Sequence, residues 1–448
     1  MNITIILLIS YFVAVLAIGY FSSRKEKKED FMIAGRKLSP WVVAFTIAAG
    51  LIGGNTLVNY SGFVFTYGLS ILWGILGFIF GIILLALFSK KIKKLSDKHK
   101  FHTMADYFGC LYGNKTSLIA TIILSSVIIL SLIVQFIAGA KLITAISSLS
   151  FVFAVLLMGV IVLVYSILGG FRAIVKTDVF QYLLFFVLLF IVGFSVSKGV
   201  TVNVAEVVDF SNSGIGLIIA FFIIGAGFVL SAPEVWQRIY AGKTSKSVKK
   251  GLILAAILCL VAFSAIMILG LSARAHFPNT PPEEAAIVGL TQLLPPALLG
   301  IGIILFFAVI MSTIDSLLFI ISTNFSKDIC YRINKKIDLR KYTRIGLVLF
   351  TFIATMIAIS YQDILALGLS FTSLVIAFAP IVIGSFIAKL KSRAINLALI
   401  VSFVVVLGLL FAGFVNPMTS VISLPVSLVF LLLGQWLFKK KIRKKINS

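Results

Sequence analysis

Four oxygen-bearing side chains, Ser312, Thr313, Asp315 and Ser316, fall together in MSTIDSLL (311–318), inside an otherwise apolar run. At 3.6 residues per turn, Ser312, Asp315 and Ser316 share one helix face and form a polar stripe. Such oxygens have two uses in hydrocarbon: they hold a cation or a proton, or the hydroxyls bond back to carbonyls one turn earlier while the carboxylate pairs with a base. A second carboxylate, Asp178, begins another apolar run, near Arg172 and Lys176. The string AAGLIGGNTLVNYSG (48–62) is too rich in Gly and polar residues for an undisturbed helix in lipid. A break there would release backbone carbonyls as ion ligands and project the side chains just beyond it, Asn55, Thr56, Asn59 and Tyr60, into a central cavity, unless they serve only helix packing. Gln135 is a polar residue in the middle of a further run. Lys141, nearer that run's end, either partners a solute carboxylate or snorkels to the interface.

The elements that must position these residues are set by hydropathy. Of 448 residues, 60% are hydrophobic and 12% charged, with a mean hydropathy of +1.14, far from the balance of a water-soluble domain. Apolar runs predict helices near 3–22, 40–67, 70–95, 115–147, 150–169, 171–198, 214–231, 248–273, 296–325, 342–361, 364–389, 394–414 and 419–438, each about long enough to cross a ~30 Å core. The fold class is therefore an all-α polytopic membrane protein of about thirteen crossings. The whole chain, 1–448, reads as a single transmembrane domain: a leading helix (3–22), two five-helix halves of opposite topology (40–198 and 204–389) and two trailing helices (394–438). In such an inverted repeat the first helix of each half is interrupted at mid-membrane. The interruption comes once in 48–62 and more weakly in IIGAGFVLSAPE (223–234).

A net charge of +24 would suggest nucleic acid as partner in a soluble protein. Here its placement explains it. With the amino terminus outside, every Lys and Arg except Lys141, Lys198 and Arg274 falls in inner loops or the carboxy-terminal tail, as the positive-inside rule requires. The expected location is a plasma or inner membrane, with the bilayer as partner, the carboxy terminus cytoplasmic and no nucleic acid bound. The first run has neither a basic leader nor a cleavage site and reads as a retained helix. Cys110, Cys259 and Cys330 have spacings that support neither disulfides nor a metal cluster.

Five strings occur in order: FMIAGRKLSPW (31–41), HTMADYFGCLYG (102–113), YSILGGFRAIVKTDVFQ (165–181), APEVWQR (232–238), and MSTIDSLL with SKDI following (311–318, 326–329). Together they resemble the sodium:solute symporter family. That resemblance implies a LeuT-type 5+5 inverted repeat and Na+ as coupling ion, with no organic cofactor. It implies a sodium site of carbonyls at Ala49, Ile52 and Val309 with hydroxyls of Ser312 and Thr313. A second cation or proton site would comprise Asp178, Ser312, Asp315 and Ser316; alternatively Asp178 and Asp315 pair with bases such as Arg172 or Lys176. Asn55, Thr56, Asn59, Tyr60, Gln135 and Lys141 are the candidates for binding a small polar organic solute. Phe63, Phe65, Tyr67 and Phe228 are candidate gates, and Trp236, Gln237 and Arg238 are expected to brace an inner loop. The chain departs from the family's pattern at Gly53-Gly54 and Ser61-Gly62, both expected beside the solute pocket. The expected function is sodium-coupled symport by alternating access, and the chain is not expected to be an enzyme. A proton-coupled carrier of the same fold and a receptor that binds without transport are the alternatives.

Overall fold

The computed structural model describes residues 3–23, 28–168, 170–196 and 210–438, and is helical almost throughout. The expected end of the sixth run (197–198), Lys198, the start of the second half (204–209) and the basic tail (439–448) lie outside the described residues. Each apolar run of the sequence coincides with a helix. Among the described residues, nine helical stretches are long and apolar enough to span a membrane, and Ile9–Phe21, Pro40–Leu51 and Phe151–Val164 are apolar but shorter. Exposed Ile83, Leu87, Val160, Ile257, Phe352 and Val404 give the bundle an apolar exterior suited to lipid.

The helices that position the site are α1 (Ile3–Ser23), α2 (Pro40–Leu51), α3 (Ser61–Tyr67), α4 (Leu72–His99), α5 (Met104–Tyr112), α6 (Asn114–Ile146), α7 (Phe171–Val196), α8 (Phe210–Ser231), α9 (Pro233–Ala241), α10 (Ser245–His276), α11 (Pro296–Thr323) and α12 (Ile364–Ile376). Helix α11 is the axis of the molecule; its most apolar window is wholly buried, so MSTIDSLL sits at the centre of the bundle.

The two expected interruptions are both present. Helix α2 ends at Ile52, whose backbone is extended (φ −100°, ψ 91°), and a wide π turn, Thr56–Tyr60, leads into α3. The second break falls at Ala232 (φ −68°, ψ 115°), where Pro233 has no N–H with which to continue the ladder. The chain then resumes as α9, so APEVWQR is a buried half-helix and the seventh helix extends beyond the 231 expected for it. Every residue of α9 is buried. Beside the breaks, α4 and α8 pack backbone to backbone: a Cβ on Gly77 would lie 2.1 Å from the Phe222 carbonyl oxygen, and one on Gly225 at 2.1 Å from that of Gly74. Small residues permit this approach in membrane helices.

The family-like strings tie down the lysine- and arginine-rich end of the bundle. In AGR, Ala34, Gly35 and Arg36 all have positive φ, a turn that aims Arg36 at the Phe101 carbonyl (2.6 Å), Ser96 Oγ (2.9 Å) and the Tyr240 carbonyl (3.4 Å). Lys93 Nζ donates to the same Tyr240 carbonyl (3.0 Å) and to Asp97 (2.5 Å). In HTMADYFG, Thr103 and Asp106 form a reciprocal capping box on α5, and Asp106 also pairs with Lys327 of SKDI. Burial works to raise the Asp106 pKa, but the Lys327 ammonium and the backbone N–H groups of His102 and Thr103 overcome it and hold the carboxyl below its usual range. Burial, then the Lys327 charge, pushes the His102 imidazole down to about 3.

Candidate functional site

In an unbroken helix the Ala49 carbonyl would accept from the N–H of residue 53; here the break frees it. Two hydroxyls from α11 reach it instead, Ser312 Oγ at 3.5 Å and Thr313 Oγ1 at 3.3 Å. Both also back-bond to the Val309 carbonyl, at 2.8 and 3.3 Å. Four of the five oxygens expected to hold sodium therefore lie around one point, and the back-bonding offered as the alternative is present as well. Ile52 is buried at the break. Gly53 makes the closeness possible, since a Cβ there would lie 2.2 Å from Thr313 Oγ1.

One turn along α11, a charged network begins. Arg238 of α9, fully buried, donates from Nη2 to Asp178 Oδ2 (3.2 Å) and Ser316 Oγ (2.5 Å), and from Nε to Thr46 Oγ1 (3.2 Å). Thr46 in turn donates to Asp178 Oδ2 (2.5 Å). The ion pair of Asp178 is thus with Arg238, expected from the sequence to brace a loop, and not with Lys176, which is exposed. The pairing reflects α9 being a half-helix inside the bundle rather than a loop. Asp315 makes no hydrogen bond to this network: both of its carboxylate oxygens are buried with no hydrogen-bond partner among the described residues. So are Asp178 Oδ1 and Gln181 Oε1, while Gln181 Nε2 donates to the Tyr11 hydroxyl of α1 (2.6 Å).

On the side of the first break away from the basic end lies a cavity of about 110 Å³. Asn55, Thr56, Asn59, Tyr60 and Phe63 line it from the first broken helix, Phe78 from α4, Phe221 and Phe228 from α8, Phe263 from α10, and Gly368 and Thr372 from α12. Four of the six expected solute residues meet here. Gln135 does not line the cavity; buried, it accepts from the Asn55 N–H (3.3 Å) and so caps the helix that resumes after the break. Lys141 is not among the lining residues either, nor are Phe65 and Tyr67. The departures at Gly53-Gly54 and Ser61-Gly62 also lie off the cavity wall. Gly54 packs against Gln135 and Ile310, and Gly62 against the Pro282 backbone. Phe78, Phe221, Phe263 and α12 were missed because the sequence holds 40 Phe with nothing to rank them, and α12 carries little besides hydroxyls to mark it.

The sodium:solute symporter family model matches residues 31–401. The chain belongs to that family. It is 29% identical over 353 residues to the sodium/pantothenate symporter of Haemophilus influenzae, covering 73% of this chain and 72% of the relative. To sodium/proline symporter 2 of Staphylococcus saprophyticus it is 25% identical over 450 residues, covering 93% and 88%. In fold it resembles a substrate-bound, outward-open Na+-coupled sialic acid symporter (TM-score 0.81, 18% identity, 98% of each chain). It also resembles the nucleobase-cation-symport-1 transporter Mhp1 in a closed conformation (TM-score 0.63, 15% identity, 93% and 96%). The protein is thus a multi-pass membrane transporter of a sodium symporter family, and the family and these relatives are transporters rather than enzymes. The expected LeuT-type architecture agrees with these structural neighbours.

Proposed function

We propose that the protein imports a small organic solute by sodium-coupled alternating access, with sodium held by the carbonyls of Ala49, Ile52 and Val309 and the hydroxyls of Ser312 and Thr313. The observation that carries this reading is the convergence of both hydroxyls on the carbonyl freed at the first break. Sodium bridging α2 and α11 would favour one arrangement of the two halves, solute would enter beside Asn55 and Asn59, and loss of sodium on the far side would weaken solute binding by the same coupling free energy. The relatives' solutes, pantothenate and proline, set the size range.

The test is binding of radioactive sodium to purified protein. Wild type should bind saturably, and Ser312→Ala combined with Thr313→Ala should weaken binding at least tenfold. No saturable binding by folded wild type would sink sodium coupling. A second reading, coupling to a proton or further cation at Asp178, Ser312, Asp315 and Ser316, is favoured by one observation, the unpartnered Asp315 carboxylate in the protein's centre. A buried carboxylate of that kind takes a proton or a cation. Transport that follows a pH gradient without sodium and is lost in Asp315→Asn would select it.

A further inference from the structure

At the basic end of the bundle, two neighbouring helices border a recess whose lining includes none of the residues assigned to ion or solute. The helices Phe151–Leu168 and Leu339–Ser360 pack against each other, and a Cβ on Gly159 would lie 2.8 Å from Thr355 Oγ1. The recess, about 310 Å³, is lined by Ile167 from the end of the first helix and by Asp338, Arg340, Lys341, Arg344, Ile345 and Val348 from the start of the second. Three cations and one carboxylate thus share the wall, and the carboxylate is engaged, since Asp338 Oδ1 accepts from the Arg340 N–H (3.0 Å) and caps the helix. Arg340 lies over the Phe31 ring, 5.2 Å from its centroid. Lys341 and Arg344 are exposed, and among the described residues their side chains make no ion pair and no hydrogen bond.

This cluster stands beside an apolar track. Ile345, Val348 and Phe352 are exposed and follow Lys341 at i+4, i+7 and i+11, so all four share one helix face. On the other helix, Val160 and Val164 are exposed as well and share a face with Ile167. From Lys341 to Phe352 the helix rises about 16 Å, close to the ~15 Å depth of one leaflet's hydrocarbon. Such a surface fits an amphiphile that carries a compact anion on apolar chains, and the bilayer holds one. A guanidinium matches phosphate oxygens with paired N–H groups, and an ammonium adds a point charge. Basic pockets between membrane helices bind anionic headgroups in this way. Free phosphate would gain the charge contacts alone, and a zwitterionic headgroup would bring its own cation into a cationic wall.

We infer that this recess is a binding site for an anionic phospholipid of the adjoining leaflet, its phosphodiester held by Lys341 and Arg344 and its acyl chains laid along Ile345, Val348 and Phe352. The helix Leu339–Ser360 also packs on α11, where a Cβ on Gly346 would lie 2.9 Å from Ser322 Cα. A lipid that binds only the folded bundle stabilises it, which supplies a readout independent of transport.

The test uses the purified full-length chain, stripped of lipid in a nonionic detergent. Bound lipid is counted by mass spectrometry of the intact protein, and unfolding temperature is followed as lipid is added. Phosphatidylglycerol is expected to bind saturably and raise the unfolding temperature, while phosphatidylcholine and inorganic phosphate do neither. Lys341→Gln combined with Arg344→Gln should weaken phosphatidylglycerol binding about tenfold or more, the order expected for two bases at a membrane surface. Lys335→Gln combined with Lys336→Gln removes the same charge from exposed positions outside the recess and should leave binding almost unchanged. Equal losses in the two pairs would reduce the effect to net charge and overturn the inference. Equal binding of phosphatidylcholine, stabilisation by phosphate alone, or no saturable binding by folded wild type would overturn it too.

Discussion

Gly53 and Arg238 are single residues on which much of the centre depends, for opposite reasons. Gly53 contributes by having no side chain: a methyl group would overlap Thr313 Oγ1, Cβ and Cγ2, all within 2.9 Å of its position. Gly53→Ala is expected to cost about 1–3 kcal/mol, in the range of overpacked cores, and to weaken sodium binding more than Gly54→Ala, which displaces Ile310 and Gln135 instead. Thermal unfolding and sodium binding on the same preparations separate the two effects. Arg238 contributes charge where no water reaches it. Arg238→Met leaves Asp178 buried and unpaired, a loss of about 3–5 kcal/mol; Arg238→Met combined with Asp178→Leu should recover part of it, as measured by unfolding temperature. The polar stripe of α11 could be read from residue spacing, and the convergence on Ala49 from resemblance. Arg238 could not be placed, because the interruption read in 223–234 does not say whether the chain beyond it resumes as a buried half-helix or leaves the bundle as a loop.

At the scale of elements, the helices and both interruptions were legible because hydropathy and Gly content act locally. The partners of each helix were not, since packing depends on surfaces far apart in sequence. That is why Gln135, equally polar and equally central, turned out to cap a helix rather than line the cavity. The short helix α5 is held by such distant partners, among them Lys327, and its stability should depend on pH. His102 titrates near 6.5 when unfolded and is pushed down to about 3 in the fold, so the native state favours the neutral ring. Its contribution is complete above pH 6.5 and is lost progressively as pH falls toward 3. The depressed Asp106 acts in the same direction but only below the ordinary carboxylate range. Unfolding temperature should therefore decline between pH 6.5 and 4.5, and His102→Gln should flatten that slope. Thr103→Ala, which removes the cap, should cost about 1 kcal/mol at any of these pH values.

For the whole molecule, the asymmetry of charge makes a directional prediction. Cys110 is exposed at the basic end, Cys259 is buried and Cys330 is half-buried near the same end. If that end faces the cytoplasm, as the positive-inside rule expects, a membrane-impermeant thiol reagent should label Cys110 in inverted vesicles and not in intact cells. Labelling from outside would reverse the assigned topology.

The glycine contact between α4 and α8 has a mechanical consequence. Where one backbone rests on another, no side chain is left to change rotamer, and close-packed atoms do not compress. The two helices therefore form a single strut, and any rocking of the transporter must carry them as one piece. Spin labels placed on the lipid-facing sides of α4 and α8 should keep their separation with and without sodium. A bulky residue at Gly225 would wedge the strut apart, displace the cavity wall that Phe78 and Phe221 form, and stop the cycle without touching the residues around the Ala49 carbonyl.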